Sequence, residues 1–389
     1  MTLDELFPEG GRLLLTGGGK EFVERLGVEA IRDSILSVML GDNVRTQTEP
    51  ISRRKIAIVS GALVALFVHG HLRSEGFTSE LSNLAIAQLG NRRRDKASSW
   101  IAQWIIGLTD KQVQNVLRSD PQGISGYVAD FEAAIDAAAK KCRDDFGDVT
   151  MELGWTEDRS GKRAVLSWKD IARLTTAIGS QTLAIRGSDK SMYGKLFERL
   201  ILGSILTILG YERVNPFTNV KSEGVFWLSD SRDVRESDAT VIIRPGKLAR
   251  FDIGFIGIGN PEISKDKLSR WAREIEVEGG TASSTTFIIV DRLPKTGKTE
   301  QAAAQIGAEI VQMSMQYWVR DLAQRLGDRF GIEHTLQNLS DDDLGPYLRQ
   351  QLSSIPVQDF LSGVSTELIA EQVEREALTI EDEDNEEEQ

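Results

Sequence analysis

The spacing of apolar residues predicts a helical N-terminal region. Breaks that contain glycine or proline, such as DPQG at 120–123, separate the apolar segments. Apolar side chains recur at helical intervals over residues 21–40, 56–72, 78–90, 97–118 and 126–145. We therefore expect residues 1–150 to form a helical domain.

The most apolar of these segments, residues 56–72, is tested first as a membrane span. A spanning helix needs about 20 predominantly apolar residues. The apolar run ends at Val68, directly before His69, and three basic residues precede it. We therefore expect a buried helix of a soluble protein here, and neither a membrane anchor nor a secretion leader.

Residues 151–330 change to a pattern that mixes helices with strands. Helices are predicted at 168–185 and 191–210, separated by Arg186-Gly187-Ser188, and again at 261–278 and 299–326. Strands are predicted at 225–228, 239–244, 248–258 and 285–291. This order predicts an α/β domain of the α+β layer type. Residues 331–380 are polar and helix-compatible, and we expect a helical C-terminal extension there.

The charge of the chain is concentrated at its C-terminus. The 389 residues carry a formal net charge of −13, and residues 381–389 contribute seven acids and no base. We expect this segment to be a solvated, disordered tail. The single cysteine, Cys142, excludes an internal disulfide, and three histidines leave little material for a zinc site.

Two aspartates occur in predicted strands, where aspartate is disfavoured. Asp238 and Asp252 lie on either side of the Pro245-Gly246 turn, and two such carboxylates on neighbouring strands can bind a divalent cation. With a two-residue loop and regular pairing, the side chains point to opposite faces. A loop with an odd number of residues or a β-bulge brings them onto one face. The alternative is structural: Asp238 starts a strand and Arg250 neutralises Asp252.

Glu198 is a third candidate acid. At helical spacing it shares one face with three large aliphatic residues, and an ionised carboxylate in that setting needs a partner or a metal. The alternative is an exposed residue at the start of the helix that pairs with Lys195 or Arg199.

A short helix is predicted to follow Asp252, with Glu262 in its first turn. Lys265 and Lys267 lie on the two flanks of this helix. Carboxylates that bind Mg²⁺ beside a lysine are the groups that phosphodiester hydrolysis requires.

The order of these elements resembles the core of PD-(D/E)XK nucleases. The stretches GKLFERLILGSILTILGY at 194–211 and RFDIGFIGIGNPEISKDKLSRW at 250–271 resemble type II restriction endonucleases, and the CfrBI group among them. The resemblance covers about residues 190–295. It implies a Mg²⁺-dependent enzyme that cuts double-stranded DNA at a specific sequence, usually as a homodimer. It also implies that the protein is located in the cytoplasm of a prokaryote, and that a cognate DNA methyltransferase belongs to the same restriction-modification system.

The resemblance assigns roles to three acids. Glu198 is the acid of the core helix, Asp238 the first aspartate of the motif and Asp252 its second acid. The chain departs from the family pattern at two positions: Gly254 stands where the family has lysine, and Ser237 where it has proline.

Two registers of the motif therefore stay open. In the first, the role of the missing lysine passes to Lys265 or Lys267. In the second, Asp252 is the first aspartate and Glu262 the next acid, with the same lysines nearby. The expected metal ligands are accordingly Asp238, Asp252 and Glu262.

Binding of DNA requires local clusters of basic residues rather than a basic protein. The candidates are Arg92, Arg93 and Arg94 with Lys96; Arg186, Lys190, Lys195 and Arg199; and Lys265, Lys267, Arg270 and Arg273. The last two clusters flank the proposed site in the sequence.

Two other functions remain possible from the sequence. One is a repair or recombination nuclease that recognises the structure of DNA rather than its sequence. The other is a non-catalytic interaction protein whose central aspartates are purely structural, which the missing strand lysine favours.

Overall fold

A computed structural model describes most of the chain. The described residues are 1–74, 76–91, 93, 95–113, 123–154, 163–218, 221–229, 237–254, 284–293 and 307–364. The chain divides into two compact units. Met1–Gly17 and Ser52–Asp189 belong to the first, and Gly18–Ile51 and the described residues of Lys190–Val373 belong to the second. The domain boundaries expected from the sequence at residues 150, 330 and 380 stay predictions.

Helices make up nearly all of the described N-terminal half. They are α1 Leu3–Leu6, α2 Glu9–Thr16, α3 Gly19–Leu26, α4 Val28–Met39, α5 Val44–Arg73, α6 Phe77–Gly90, α7 Lys96–Ile105, α8 Gly123–Phe146 and α9 Trp168–Ile208. The predicted segment 21–40 forms two helices, α3 and α4, because Gly27 adopts a φ of 99° between them. An antiparallel hairpin of β1, Met151–Gly154, and β2, Arg163–Leu166, precedes α9.

Helix α5 contains the apolar segment considered above as a membrane span. Length and composition alone would allow α5 to cross a membrane, and half of its most apolar window is buried inside the protein. A core helix passes the same test. Val59, Leu63 and Leu66 are fully buried, as expected of a helix that packs against others.

Helix α9 corrects one prediction from the sequence. The expected break at Arg186-Gly187-Ser188 is absent, and the helix runs continuously over 41 residues. A glycine inside a helix costs only about 1 kcal/mol relative to alanine. Burial of Ile185 before this point and of Leu196 and Phe197 after it outweighs that cost.

The second unit contains a mixed six-stranded sheet. Its strands are β3 Glu212–Arg213, β4 Val225–Leu228, β5 Ala239–Arg244, β6 Lys247–Gly254, β7 Ser284–Val290 and β8 Glu309–Gln312, in that spatial order. β4, β5 and β6 pair in antiparallel fashion, whereas β6, β7 and β8 are parallel. Helices and a mixed sheet confirm the predicted α/β class. Residues 309–312 were expected within a helix, and that prediction was wrong because they pair with β7.

Two further helices and two 3₁₀ turns complete the described part of this unit. They are α10 Trp318–Phe330, α11 Asp341–Ser354, and the 3₁₀ turns Thr335–Asn338 and Val357–Leu361. The second 3₁₀ turn packs on α9 at Gly203. A β-carbon at Gly203 would lie 2.6 Å from the ring of Phe360, so only glycine allows this close approach.

One face of the sheet forms the core of the second unit. Ala249, Phe251 and Ile253 of β6 are fully buried on this face. The ring of Phe251 stacks on that of Phe287 with 5.2 Å between centroids, and Phe287 contacts Phe330 of α10 at 6.4 Å. Burial of each such side chain is worth about 1.5–3 kcal/mol. The alternate residues of β5 and β6 point to the opposite face and are only half-buried.

Candidate active site

A β-bulge sets the alignment of the two candidate aspartates. Ile242 lies opposite Leu248, but Arg244 lies opposite Lys247, so β5 contains one extra residue beside the two-residue turn. Ala239 consequently lies opposite Phe251. One residue further along, the same register places Asp238 opposite Asp252. The β-bulge that is needed to bring both aspartates onto one face of the sheet is therefore present.

Asp238 and Asp252, called the aspartate pair below, share the half-buried face of the sheet. Residues opposite each other on antiparallel strands have Cβ atoms about 4.5–5.5 Å apart. The backbone N–H of Ile253 donates a hydrogen bond to Oδ2 of Asp238 at 2.8 Å. This bond holds the Asp238 carboxylate beside β6, next to Asp252.

The backbone around Asp238 is also fixed from the other side. The N–H of Ser229 donates to the carbonyl oxygen of Asp238 at 3.1 Å, and the Ser229 hydroxyl donates to the carbonyl oxygen of Ser237. Ser237 is buried, and its hydroxyl lies 3.3 Å from that of Thr240. Hydrogen bonds thus hold the backbone of Ser237 and Asp238 beside the end of β4.

The same face of the sheet, called the aspartate face below, changes from polar to apolar across the strands. Trp227, Thr240, Arg250 and Thr286 lie opposite one another in the row next to the aspartate pair. Towards β8 the face becomes apolar, where Ile288, Val290 and partly buried neighbours form a small cluster. Gly254 lies opposite Val290, at the border of this cluster.

Glu198 is half-buried in the interior of α9 and not at a helix start, so that part of the structural alternative was wrong. The three aliphatic residues expected on its face are buried. The next residue, Arg199, donates from Nη1 to the carbonyl oxygen of Ser229. This turn of α9 therefore contacts the end of β4, and Ser229 in turn bonds to Asp238.

The remaining predicted site residues are not brought together by the described structure. Glu262, Lys265, Lys267, Arg270, Arg273, Arg92 and Arg94, the tail 381–389 and the side chain of Lys190 lie outside the described residues. Lys195 is half-buried on α9, and Arg93 is exposed in the first unit. Within the part of the chain that is described, no group of three or more His, Cys, Asp or Glu could hold a metal ion.

Asp291 is a half-buried acid that the sequence did not single out. It follows β7 directly, its N–H donates to the carbonyl oxygen of Gly254 at 3.3 Å, and Nδ2 of Asn43 donates to its carboxylate at 3.1 Å. Burial raises the pKa of Asp291, although Arg292 and Arg45 oppose that shift. Its position at the end of the apolar run TTFIIVD was the available signal.

The family profile described as CfrBI restriction endonuclease matches residues 28–298. The chain belongs to this family. It is 31% identical over 347 residues to "Type II restriction enzyme CfrBI" of Citrobacter freundii, an alignment that covers 88% of this chain and 93% of that protein. No solved structure matches the chain.

Family membership confirms the resemblance inferred from two short stretches of sequence. The family match begins at residue 28 and therefore includes most of the N-terminal helices, which the resemblance at about 190–295 left out. It also spans the aspartate pair. The site residues themselves stay predictions.

Proposed function

We propose that the aspartate pair binds the metal ion with which this enzyme hydrolyses the DNA backbone, and that this ion is Mg²⁺. The protein is a sequence-specific type II endodeoxyribonuclease acting on double-stranded DNA, and enzymes of this type generally use a divalent metal. The observation that carries the proposal is the alignment of Asp238 and Asp252 on one face of the sheet.

The residues present fit a magnesium ion. Mg²⁺ prefers oxygen ligands at about 2.0–2.1 Å and is usually held by one or two carboxylates together with substrate phosphates. Carboxylates on facing residues of neighbouring strands are close enough to contribute one oxygen each to the same ion. A third protein ligand is therefore not required. Glu198 forms no metal-binding group of three with the pair in the part of the chain that is described, so Glu262 is the remaining candidate for a third ligand.

The proposed roles follow from these positions. Ile253 orients the Asp238 carboxylate through its backbone N–H, and Asp252 faces it from β6. The cation, when bound, supplies positive charge at the phosphate and makes water more acidic. The resemblance, and not a described position, suggests that Lys265 or Lys267 orients the attacking water. Helix α9 followed by the hairpin β5–β6 and the parallel strand β7 supports the proposal of a PD-(D/E)XK core.

Cleavage assays with isosteric variants test the metal site. Asp252→Asn and Asp238→Asn should each lower the cleavage rate by at least about a thousandfold, since a metal ion contributes several kcal/mol to such reactions. Asparagine retains an oxygen that can accept the Ile253 N–H, so the fold should persist. Cutting of mixed-sequence plasmid DNA with Mg²⁺ is the measurement.

The matched control is Asp342→Asn, an exposed acid on α11, which should cut at the wild-type rate. Full cleavage by Asp252→Asn would remove this residue from the mechanism. Discrete plasmid fragments are expected from the wild type, whereas a preference for branched DNA would favour a repair nuclease.

The partners that the resemblance implied are also proposals. We expect a homodimer whose two sites cut the two strands of a symmetric target, and a cognate methyltransferase in the same prokaryotic cytoplasm. Phosphate contacts are proposed for Lys190, Lys195, Arg270 and Arg273, and for the cluster Arg92, Arg93 and Arg94.

A further inference from the structure

A cavity of about 540 Å³ opens beside β4 in the second unit. Among its lining residues are Arg199, Arg213, Phe217, Trp227 and Ser229. This volume lies within the range of about 300–1,000 Å³ that is typical of ligand-binding cavities. The lining combines two cationic side chains with two aromatic rings.

The cavity lies next to the aspartate pair. Trp227 is opposite Thr240, two residues from Asp238, so Trp227 and Asp238 are diagonal neighbours on one face of the sheet. Such neighbours are about 7–8 Å apart. Ser229, which also lines the cavity, donates its N–H to the carbonyl oxygen of Asp238.

Both arginines are held in place by backbone carbonyl groups. Arg199 donates from Nε to the carbonyl oxygen of Phe360 at 3.3 Å and from Nη1 to that of Ser229. Arg213 donates to the carbonyl oxygen of Asp359, and its guanidinium lies 5.9 Å from the centre of the Phe360 ring. These hydrogen bonds fix the two guanidinium groups at the wall of the cavity. Positioned arginines of this kind suit phosphate.

Phe217 is presented to solvent on a defined turn. Its side chain is 89% exposed, the highest value among the exposed large hydrophobic residues of the described chain. Its N–H donates to Oδ1 of Asn215 at 2.9 Å, and the N–H of Thr218 donates to the carbonyl oxygen of Asn215 at 3.2 Å. A single exposed phenylalanine is not unusual. This one lines a cavity that also contains an indole ring and two guanidinium groups.

We propose that this cavity holds one nucleotide of the substrate DNA, adjacent to the phosphate that is cut. The two arginines bind its phosphate, and its base, turned out of the duplex, stacks against Phe217 and Trp227. Aromatic rings stack on any base, and arginines pair with the backbone, so the same lining explains both parts of a nucleotide. The inference rests on the proposed function, because it takes the aspartate pair as the point of cleavage.

Binding measurements with Phe217→Ala test the inference. The wild type and the variant are titrated with a duplex that contains the mapped cleavage site, in EDTA, so that the DNA stays intact. Loss of one stacking partner should weaken binding about tenfold. Phe217 is so exposed that its truncation leaves the fold unchanged. The matched control, Phe146→Ala, removes an exposed phenylalanine of the first unit and should bind as the wild type does.

Removal of single bases locates the contact. The bases near the cut are replaced one at a time by abasic sites, and binding is measured again with both proteins. At one position next to the cut, loss of the base and loss of the Phe217 ring should be non-additive, because both abolish the same stack. Equal affinity of Phe217→Ala and wild type would overturn the inference, and so would additivity at every position.

These outcomes are distinct from failure of the metal site. Binding in EDTA does not depend on the aspartates as metal ligands. Undiminished cleavage by Asp252→Asn would overturn the metal site, whereas the binding results for Phe217→Ala decide the cavity alone.

Discussion

Two acids that face each other across neighbouring strands repel, and the fold tolerates this only where something compensates. Like charges directly opposite each other destabilise a sheet. Asp238 and Asp252 are placed in this way, and a backbone N–H stabilises the first of them. A bound cation would relieve the repulsion, so stability should depend on divalent metal.

Thermal unfolding of single-residue variants should show whether stability depends on a divalent metal ion bound by the aspartate pair. Saturating Mg²⁺ should raise the melting temperature of the wild type. At a ligand concentration one hundred times the dissociation constant, binding adds about 2.7 kcal/mol to the free energy of unfolding. The shift should disappear in Asp238→Asn and in Asp252→Asn, which lose a ligand each. An equal shift in all three proteins would place the ion elsewhere.

Asp170 in the first unit makes a separate prediction about pH. It is almost fully buried, which opposes ionisation, but hydrogen bonds from His71, Ser167 and Thr78 more than compensate and keep its pKa well below the ordinary value. A carboxylate with a lowered folded-state pKa stabilises the protein above its unfolded-state pKa, and that stabilisation is lost as the pH falls below about 4.

Urea unfolding between pH 2 and pH 7 checks this prediction. The wild type should lose stability below about pH 4, and Asp170→Asn should be less stable at pH 7 with a flatter acid profile. Exposed Asp342→Asn is the control and should follow the wild type. Parallel profiles for Asp170→Asn and the wild type would contradict the assignment.

At the scale of elements, the sequence was sufficient where the apolar pattern was unambiguous. The strands predicted at 225–228 and 239–244 coincide with β4 and β5. The predictions failed where tertiary packing decided the outcome. Helix α9 continues through Gly187 because its neighbours are buried. Residues 309–312 form a strand because they pair with β7, and their two β-branched residues are too short a run to predict it alone.

The register of the β5–β6 hairpin could be framed from the sequence but not decided. A two-residue turn was visible in Pro245-Gly246, and it predicted opposite faces for the two aspartates unless a bulge intervened. The side chains of Ile242 and its neighbours do not indicate that β5 contains one extra residue between Ile242 and Arg244. The bulge results from the way that the whole of β5 pairs with its neighbouring strands, and a single sequence does not show this pairing.

Two one-residue changes in β5 should have opposite effects on cleavage. Deletion of Ile243 removes the bulge but keeps Asp238 opposite Asp252, so cutting should stay within about tenfold of wild type. Insertion of an alanine between Asp238 and Ala239 leaves the strand paired but turns the aspartate to the other face, which should abolish cutting. Plasmid cleavage measures both, and circular dichroism verifies folding. Equal cleavage rates for the deletion and insertion variants would show that cleavage does not depend on the strand register.

At the scale of the whole molecule, the family was recognisable but the site was only partly so. Two stretches of sequence were enough to indicate restriction endonucleases, and family membership confirms this. Asp238 and Asp252 were selected because aspartate is unusual in a strand. The cavity residues Arg213 and Phe217 gave no signal, since a lone arginine and a lone phenylalanine are common at any surface.

The proposed homodimer predicts the mass of the particle in solution. Cleavage of both strands of a symmetric target requires two copies of the aspartate pair. Light scattering should therefore give about twice the 43.1 kDa of one chain, at least with target DNA bound. A single chain on each DNA duplex that still cuts both strands would contradict the proposal.

The 3₁₀ turn Val357–Leu361 has a consequence for synthesis of the enzyme in a living cell. Carbonyl groups of Asp359 and Phe360 hold Arg213 and Arg199, the side chain of Asp359 pairs with Lys20, and the N–H of Gly19 donates to Val364. Residues that are about 340 positions apart in the sequence thus meet beside this turn, whose carbonyl groups hold two arginines of the cavity. A ribosome must translate past residue 364 before these contacts form, so a shorter nascent chain lacks the cavity that we propose to hold a nucleotide.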